Sequence, residues 1–177
     1  MKKFNNVQNT CIKQDGKEYW ISRSVGIVAM IVAIKNNEEY FLIGKRGKGL
    51  PDMVGYYNLI CGYLDYNETG FQAMKREVYE ESGLDLDDIS LKYDVVFNSH
   101  ENPYHIDTNP KSHKQNISIY YDFIFNIGNE QDFPKFNLEN VDENEVEEVL
   151  WMNKKDLSKY NFAFSHDKII SEFFISF

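Results

Sequence analysis

Cysteine and proline are scarce in this chain of 177 residues, which contains two cysteines and four prolines. The cysteines, Cys11 and Cys61, are too few for a disulfide framework or a four-cysteine zinc site. Reduced thiols are the simpler reading, and they favour a cytoplasmic protein. No proline-, glycine- or serine-rich linker and no internal repeat divides the chain. The sequence therefore predicts a single domain over residues 1–177, with residues 1–16 as a loosely ordered N-terminal segment.

Long hydrophobic runs and an excess of positive charge are also missing. The longest apolar run, residues 25–34, is too short to cross a bilayer as a helix, and no signal peptide follows the two N-terminal lysines. The net charge of −9 argues against binding to duplex nucleic acid, which usually needs a basic surface. What remains is a packed domain, because 42% of the residues are hydrophobic and 15% are aromatic.

Apolar patterning predicts several strands and two helices. The predicted strands cover residues 17–22, 25–34, 40–44, 91–97, 117–125 and 146–152. Thr69 and Gln72 form a capping box that predicts the start of a helix, and Gly83 predicts its end. A second, amphipathic helix is predicted over residues 165–174. Hairpin strands around two helices predict an α/β fold, a central mixed β-sheet sandwiched by helices.

The first predicted helix carries Glu77, Glu80 and Glu81 near its C-terminal end, where the helix dipole disfavours negative charge. At about 100° per residue, the three acids share one arc of the helix beside its apolar stripe. Partly desolvated carboxylates repel one another, and a divalent cation with oxygen ligands would relieve both penalties. The alternative is a solvated acidic face on which Arg76 pairs with Glu80. The acids alone leave both interpretations open.

The spacing around these acids resembles the signature of the Nudix hydrolases, G-x5-E-x7-REV-x-EE-x-GL over 23 residues. Every fixed position is filled. In order, they are Gly62, Glu68, Arg76, Glu77, Val78, Glu80, Glu81, Gly83 and Leu84. A tryptophan-containing strand, EEVLWM, and a last helix entered through FAFSHDKI are also similar to that family. Cys61 departs from the pattern, because many members have a glycine there, and a buried, non-catalytic cysteine is expected.

The resemblance implies a Nudix-type α/β/α sandwich and a pyrophosphohydrolase acting on acid anhydrides in phosphorus-containing compounds. Its substrate would be a small nucleoside diphosphate derivative, with a nucleotide sugar or a nucleoside triphosphate expected. A proline that often follows the signature in enzymes cleaving ADP-ribose is missing. The alternative is a catalytically silent module with the same fold, which binds nucleotides or regulates. A homodimer is compatible with either interpretation, and no membrane partner is expected.

The resemblance also implies roles for the signature residues. Glu77, Glu80 and Glu81 would ligate Mg²⁺ or Mn²⁺, and the carbonyl oxygen of Gly62 would add a ligand. Two further residues, Glu68 and Arg76, would orient the loop and the glutamates. In related enzymes another glutamate, just before the tryptophan-containing strand, helps to bind metal or acts as the general base. Glu145 is the first choice for this position, and Glu143 is the second.

A glycine-rich loop, residues 44–49, concentrates positive charge in an otherwise acidic chain. Arg46 and Lys48 in this loop are candidate ligands of a substrate phosphate, because glycine lets the backbone approach an anion and Arg can bind phosphate bidentately. Arg23, before the long apolar strand, is a further candidate. An ordinary charged turn is the alternative.

Histidines and aromatic residues outside the signature carry less information. The loop over residues 98–115 contains His100, His105 and His113, whose spacing fits no zinc pattern. Solvated histidines, or a lid over the substrate, are expected there. His166 is expected near the start of the last helix. Four aromatic residues are candidates for stacking on a base or for the core, namely Tyr56, Tyr57, Phe162 and Phe164.

Overall fold

The structure of the chain is a computed structural model that describes residues 10–21, 25–99, 102–108 and 116–173. The strands are β1 (Thr10–Gln14), β2 (Lys17–Ile21), β3 (Val25–Lys35), β4 (Glu38–Arg46), β5 (Tyr57–Tyr63), β6 (Asp94–Asn98), β7 (His105–Asp107), β8 (Ile117–Asn126) and β9 (Val146–Asn153). The helices are α1 (Gly70–Ser82), α2 (Leu86–Lys92) and α3 (His166–Glu172), and a 3₁₀ helix covers Lys154–Lys159.

Seven of the strands form one mixed sheet in the order β6-β8-β3-β5-β4-β9, with β7 paired to β8. The central strand β3 runs parallel to β8 and antiparallel to β4 and β5. Residues 32–35 of β3 pair with β4, whereas residues 26–29 pair with β5. Strand β5 therefore enters the sheet between β3 and β4. Strands β1 and β2 form a separate two-stranded sheet.

Helices cover both faces of the sheet. Because successive strand residues point to opposite faces, Leu42 belongs to one apolar cluster and its neighbours Phe41 and Ile43 to the other. The first cluster contains Val78 of α1, and the second contains Ile170 of α3. The prediction of an α/β/α sandwich around a mixed sheet is confirmed.

Helix α1 has the ends that its sequence predicts. The Thr69 hydroxyl accepts a hydrogen bond from the Gln72 N–H, and the Gln72 side chain accepts one from the Thr69 N–H. Gly83 ends the helix with a left-handed φ of 69°. A Cβ atom at Gly83 would lie only 2.0 Å from the carbonyl oxygen of Asn137, so close packing also requires glycine there.

Several elements differ from the sequence-based prediction. Strands β1, β5 and β7 and helix α2 were not predicted. The predicted strand over 91–97 is wrong at its start, because residues 91 and 92 close α2 and β6 begins at Asp94. The side chain of Asp85 accepts a hydrogen bond from the Asp87 N–H and so caps α2. Among the described helices, none has the length and apolar character needed to cross a membrane.

Candidate active site

Helix α1 places two carboxylates against glycines of the sheet. A Cβ atom at Gly62 of β5 would lie 2.1 Å from Oε1 of Glu77. At Gly44 of β4, a Cβ atom would lie 3.8 Å from Oε2 of Glu81. Residues four apart share one face of a helix, so the same face that buries Val78 carries both acids onto the sheet. Gly62 thus leaves the space that the Glu77 carboxylate occupies.

The buried guanidinium of Arg76 connects three carboxylates. It donates hydrogen bonds to both carboxylate oxygens of Glu68 (3.1 and 2.8 Å), to Oε1 of Glu77 (2.6 Å) and to Oε2 of Glu80 (2.9 Å). A further hydrogen bond reaches the carbonyl oxygen of Tyr63, at 2.9 Å. The Arg76–Glu80 pair expected of an acidic surface does exist, but Arg76 is only 3% exposed. A solvated helix face does not describe this arrangement.

Glu77, Glu81 and Glu145 have raised pKa values because they lose solvent and lie near other acids. Burial raises the pKa of Glu77 to about 7, although Arg76 opposes this shift. Burial, followed by the charges of Glu77 and Glu145, raises the pKa of Glu81 well above its ordinary value. Partial loss of solvent, with a contribution from Glu80, raises the pKa of Glu145. Glu145 therefore interacts electrostatically with signature glutamates as well as with Asp142, and its role in metal binding stays a prediction.

These residues fit a divalent cation in their chemistry. Within the described parts of the chain, no three His, Cys, Asp or Glu side chains already form a group that could hold a metal ion. Mg²⁺, however, is usually held by one or two carboxylates, several waters and substrate phosphates. The donors here are carboxylate oxygens, burial raises the pKa values of Glu77 and Glu81, and a cation bound between these acids would reduce their repulsion. Glu145 and Glu143, the first and second choices for a further ligand, are both exposed.

The glycine-rich loop after β4 packs against the segment that carries Glu145. The N–H of Gly47 donates a hydrogen bond to the Glu145 carbonyl at 2.8 Å, and the N–H of Gly49 donates one to the Asn144 carbonyl at 2.7 Å. A Cβ atom at Gly47 would lie 2.5 Å from that same Asn144 oxygen. The two glycines therefore have a packing role that the sequence did not reveal.

Arg46 uses much of its hydrogen-bonding capacity within the protein. Its Nη2 donates to Oδ1 of Asp52 at 2.7 Å and to the Asp52 carbonyl at 3.0 Å, and its Nε donates to that carbonyl at 3.2 Å. The predicted phosphate ligand is thus a buried residue paired with an aspartate. Lys48 is exposed on the same loop, and Arg23 lies outside the described residues. Phosphate binding by these three residues stays a prediction.

Cys61 and His166 lie on the side of the sheet away from α1. Cys61 packs in the cluster that contains α3, and burial raises the pKa of its thiol to about 12, which disfavours the reactive thiolate. His166 is the first residue of α3, and its Nδ1 accepts a hydrogen bond from the Leu59 N–H at 3.0 Å. Burial lowers the pKa of His166 to about 3, and the charge of Arg46 adds to this shift.

The remaining histidine and aromatic candidates are scattered. His105 lies in β7, with its ring 5.4 Å from that of Tyr120, while His100 and His113 lie outside the described residues. Tyr57 and Phe162 pack on each other with ring centroids 6.4 Å apart. The other two aromatic candidates, Tyr56 and Phe164, are exposed.

Comparison with known proteins gives a consistent result. A family model described as the NUDIX domain matches residues 25–173. Among solved structures, the NUDIX domain of Shewanella oneidensis NrtR with ADP ribose is 15% identical, with 83% of each chain covered and a TM-score of 0.54. A C. elegans Ap4A hydrolase binary complex is also 15% identical, covering 83% of this chain and 93% of that one, with a TM-score of 0.58.

A third similar structure is a bifunctional NMN adenylyltransferase/ADP ribose pyrophosphatase from Francisella tularensis, complexed with AMP and a Mn ion. It is 19% identical, with a TM-score of 0.58, and the match covers 83% of this chain and 39% of that one. At these identities the structural likeness establishes the fold alone. No curated protein matches the chain.

Proposed function

This chain belongs to the Nudix family of pyrophosphohydrolases, and on that premise we propose that it cleaves the diphosphate of a nucleoside diphosphate joined to a second group. Water would attack phosphorus with the help of Mg²⁺ or Mn²⁺. A nucleotide sugar or a nucleoside triphosphate is the substrate expected from the sequence. ADP ribose and Ap4A are two further candidates. The similar NUDIX domain of NrtR was solved with ADP ribose, and another similar structure is an Ap4A hydrolase.

The observation that carries this proposal is the pair of carboxylates laid on glycines of the sheet. Glu77 lies on Gly62 and Glu81 lies near Gly44, so their carboxylate oxygens form an oxygen-rich surface. Burial raises the pKa values of both carboxyl groups. We infer that Glu77, Glu80 and Glu81 hold the metal, with the Gly62 carbonyl and Glu145 as further ligands. A metal bound there would polarise the phosphoryl oxygens and stabilise the charge that develops on them.

The rest of the network would keep this surface in place. Arg76 fixes Glu77 and Glu80 through hydrogen bonds, and Glu68 in turn fixes Arg76. Such outer partners orient metal ligands and preserve their spacing. Whichever of these glutamates is not bound to the metal, Glu145 or one of the signature acids, would accept the proton of the attacking water.

A screen that separates substrates from nucleotide products by chromatography tests the activity. The panel contains nucleotide sugars, nucleoside triphosphates, ADP ribose and Ap4A, each assayed with Mg²⁺, with Mn²⁺ and with EDTA. Turnover of one or two compounds that disappears in EDTA is expected. Nucleotide binding without any turnover would contradict the proposal and favour the catalytically silent module.

Glutamate variants test the assignment of the metal site. Glu80→Gln and Glu81→Gln are each expected to reduce turnover by at least about a hundredfold while nucleotide binding is largely retained, because the ligands act on the transition state. Glu130→Gln, at an exposed acid in the loop after β8, is the matched control and should keep full turnover. Unchanged turnover in both signature variants would refute the assignment. The cytoplasmic location and the homodimer stay predictions from the sequence.

A further inference from the structure

Two consecutive residues before α3 have left-handed backbone conformations, although neither is glycine. The φ angle is 58° at Phe164 and 57° at Ser165. This conformation is uncommon for a bulky residue such as phenylalanine. Backbone strain of this kind persists only where the surrounding structure fixes it, and it is concentrated at active sites and ligand-binding sites.

The strained turn is fixed from both sides by strand β5. Before it, the Ala163 N–H donates a hydrogen bond to the Tyr57 carbonyl at 2.8 Å. After it, Nδ1 of His166 accepts a hydrogen bond from the Leu59 N–H at 3.0 Å, and His166 is only 2% exposed. Because both flanks are held against the same strand, the residues between them turn outward. The side chain of Phe164 is 45% exposed as a result.

The ring of Phe164 is backed by a fixed cation. The guanidinium carbon of Arg46 lies 4.8 Å from the centroid of this ring, within the range of a cation–π contact. Arg46 cannot easily move away, because it is 8% exposed and is held by three hydrogen bonds to Asp52. The ring is therefore an immobilised aromatic surface whose remaining exposed part is open to a ligand.

The neighbouring aromatic residues are engaged in the protein itself. Tyr57 packs against Tyr160 with ring centroids 4.9 Å apart and against Phe162. Its hydroxyl also donates a hydrogen bond to Glu148 at 3.1 Å. Tyr57 and Phe162 are thus occupied within the protein, whereas Tyr56 and Phe164 are exposed, and of these two only Phe164 rests on the guanidinium of Arg46.

The backing residue Arg46 also adjoins the carboxylate site. It follows Gly44, the residue that Glu81 approaches, by two positions on β4. The next residue, Gly47, is hydrogen-bonded to the Glu145 carbonyl. The charge of Arg46 also lowers the pKa of Glu81, against the larger effect of burial.

Phe164 packs against His166 on the α3 side of the sheet, with ring centroids 5.5 Å apart. Arg46 links it to the glutamates by contacting its ring and acting electrostatically on Glu81. A substrate whose diphosphate lies at the glutamates would then extend its nucleoside past Arg46 toward Phe164.

We propose that Phe164 is the platform on which the nucleobase of the substrate stacks, held in position by the Arg46–Asp52 pair. This inference rests on the proposed function, since it assigns the nucleoside end of the same substrate. Stacking on an aromatic ring tolerates different bases, because every base has a π face. Phe164 would then contribute to binding and leave bond cleavage to the glutamates, so its loss should raise KM more than it lowers kcat.

The substitution Phe164→Asn removes the ring and suits the backbone, because asparagine tolerates a left-handed φ. Titration calorimetry in Mg²⁺ would compare AMP, GMP, UMP and CMP with ribose 5-phosphate, which has the sugar and phosphate but no base. The wild-type protein is expected to bind at least one nucleotide more tightly than ribose 5-phosphate. Phe164→Asn should weaken the binding of that nucleotide by about tenfold or more and leave the affinity for ribose 5-phosphate unchanged. Phe164→Tyr should restore binding.

Phe97→Asn is the matched control, because Phe97 is a 52% exposed phenylalanine on β6, an edge strand of the sheet. It should bind every probe as the wild type does. If Phe164→Asn binds nucleotides as tightly as the wild type, the proposal is overturned. A higher melting temperature in that variant would then show that the substitution only relieves backbone strain. Equal weakening of ribose 5-phosphate, or no preference of the wild type for any nucleotide, would overturn it too.

The binding measurement needs no turnover, so the two proposals can fail separately. A base-dependent loss of affinity in Phe164→Asn, in a protein that hydrolyses nothing in the screen, would refute the enzyme and keep the platform. Metal-dependent turnover with identical KM values for the wild type and Phe164→Asn would keep the enzyme and refute the platform.

Discussion

The carboxylate of Glu77 lies against the Cα atom of Gly62, so close that a Cβ atom there would be 2.1 Å from its Oε1. The carboxylate is the end of a flexible side chain, and it can move aside at the cost of its hydrogen bond to Arg76. Gly62→Ala should therefore fold but hold Glu77 in a wrong position. We expect turnover to fall by at least about a hundredfold in a steady-state assay, as for other displaced catalytic groups.

Gly26→Ala is the control for this prediction. Gly26 is also a strand glycine, and it pairs directly with Tyr63 beside Gly62. The nearest atom to a Cβ there would be Ser118 Oγ at 3.7 Å, and the carbonyl oxygens of Ile117 and Gly62 would lie no nearer than 3.8 and 3.9 Å. Its turnover should stay within about threefold of wild type, because that distance is an ordinary van der Waals contact. Equal turnover in the two variants would show that the Glu77–Gly62 contact has no catalytic role.

Arg76→Met should destabilise the metal-free protein strongly. The substitution leaves the carboxylates of Glu68, Glu77 and Glu80 without their shared buried partner. Removing one member of a buried ion pair typically costs about 3–5 kcal/mol. The free energy of unfolding, measured by urea denaturation in EDTA, should fall by an amount in this range.

The adjacent residue provides the control for Arg76→Met. Lys75 lies on the same helix and pairs with Asp87, but these side chains are 29% and 66% exposed, against 3% for Arg76. Lys75→Met should change the free energy of unfolding by less than about 1 kcal/mol, as is usual for surface pairs. Similar losses in the two variants would mean that the buried network contributes no special stability.

Glu145→Gln and Glu143→Gln should differ in their need for metal. Both side chains are exposed, but Glu145 interacts electrostatically with Glu80 and Glu81. Loss of a supporting ligand should raise the Mg²⁺ concentration for half-maximal turnover of Glu145→Gln by about tenfold or more. Glu143→Gln should titrate as the wild type does. The reverse order would exchange the two assignments.

Local signals explain which parts of the fold could be predicted. The bounds of α1 follow from Thr69, Gln72 and Gly83, whose capping effects act within one turn of the chain. Strand β5 has no comparable signal in its own residues, and turn-forming residues precede it. It is stabilised by pairing with β3 and β4. A short strand that depends on long-range pairing cannot be recognised from its own residues.

The same limit applies to the site. The spacing of the signature predicts that Glu77 and Glu81 share a helix face, since this needs only helical geometry. The contact of the glycine-rich loop with Asn144 and Glu145 depends on pairing between β4 and β9, about a hundred residues apart in the chain. The pairing of Arg46 with Asp52 likewise gives a predicted phosphate ligand an internal partner that composition could not reveal.

The buried His166 should make stability depend on pH. Its pKa is lowered to about 3 in the folded protein, from an ordinary value of 6.5. Between these two pKa values the unfolded chain binds a proton that the folded chain does not. The contribution of neutral His166 to stability is therefore complete above pH 6.5 and is lost as the pH falls toward 3. The free energy of unfolding falls by up to about 1.4 kcal/mol per pH unit in this range. His166→Asn keeps an acceptor for the Leu59 N–H but does not titrate. The free energies of unfolding of the wild type and this variant would be measured in urea at pH 7, 6, 5 and 4. Any advantage of the wild type should shrink at each step. A difference that stays constant would show that His166 is not the group responsible.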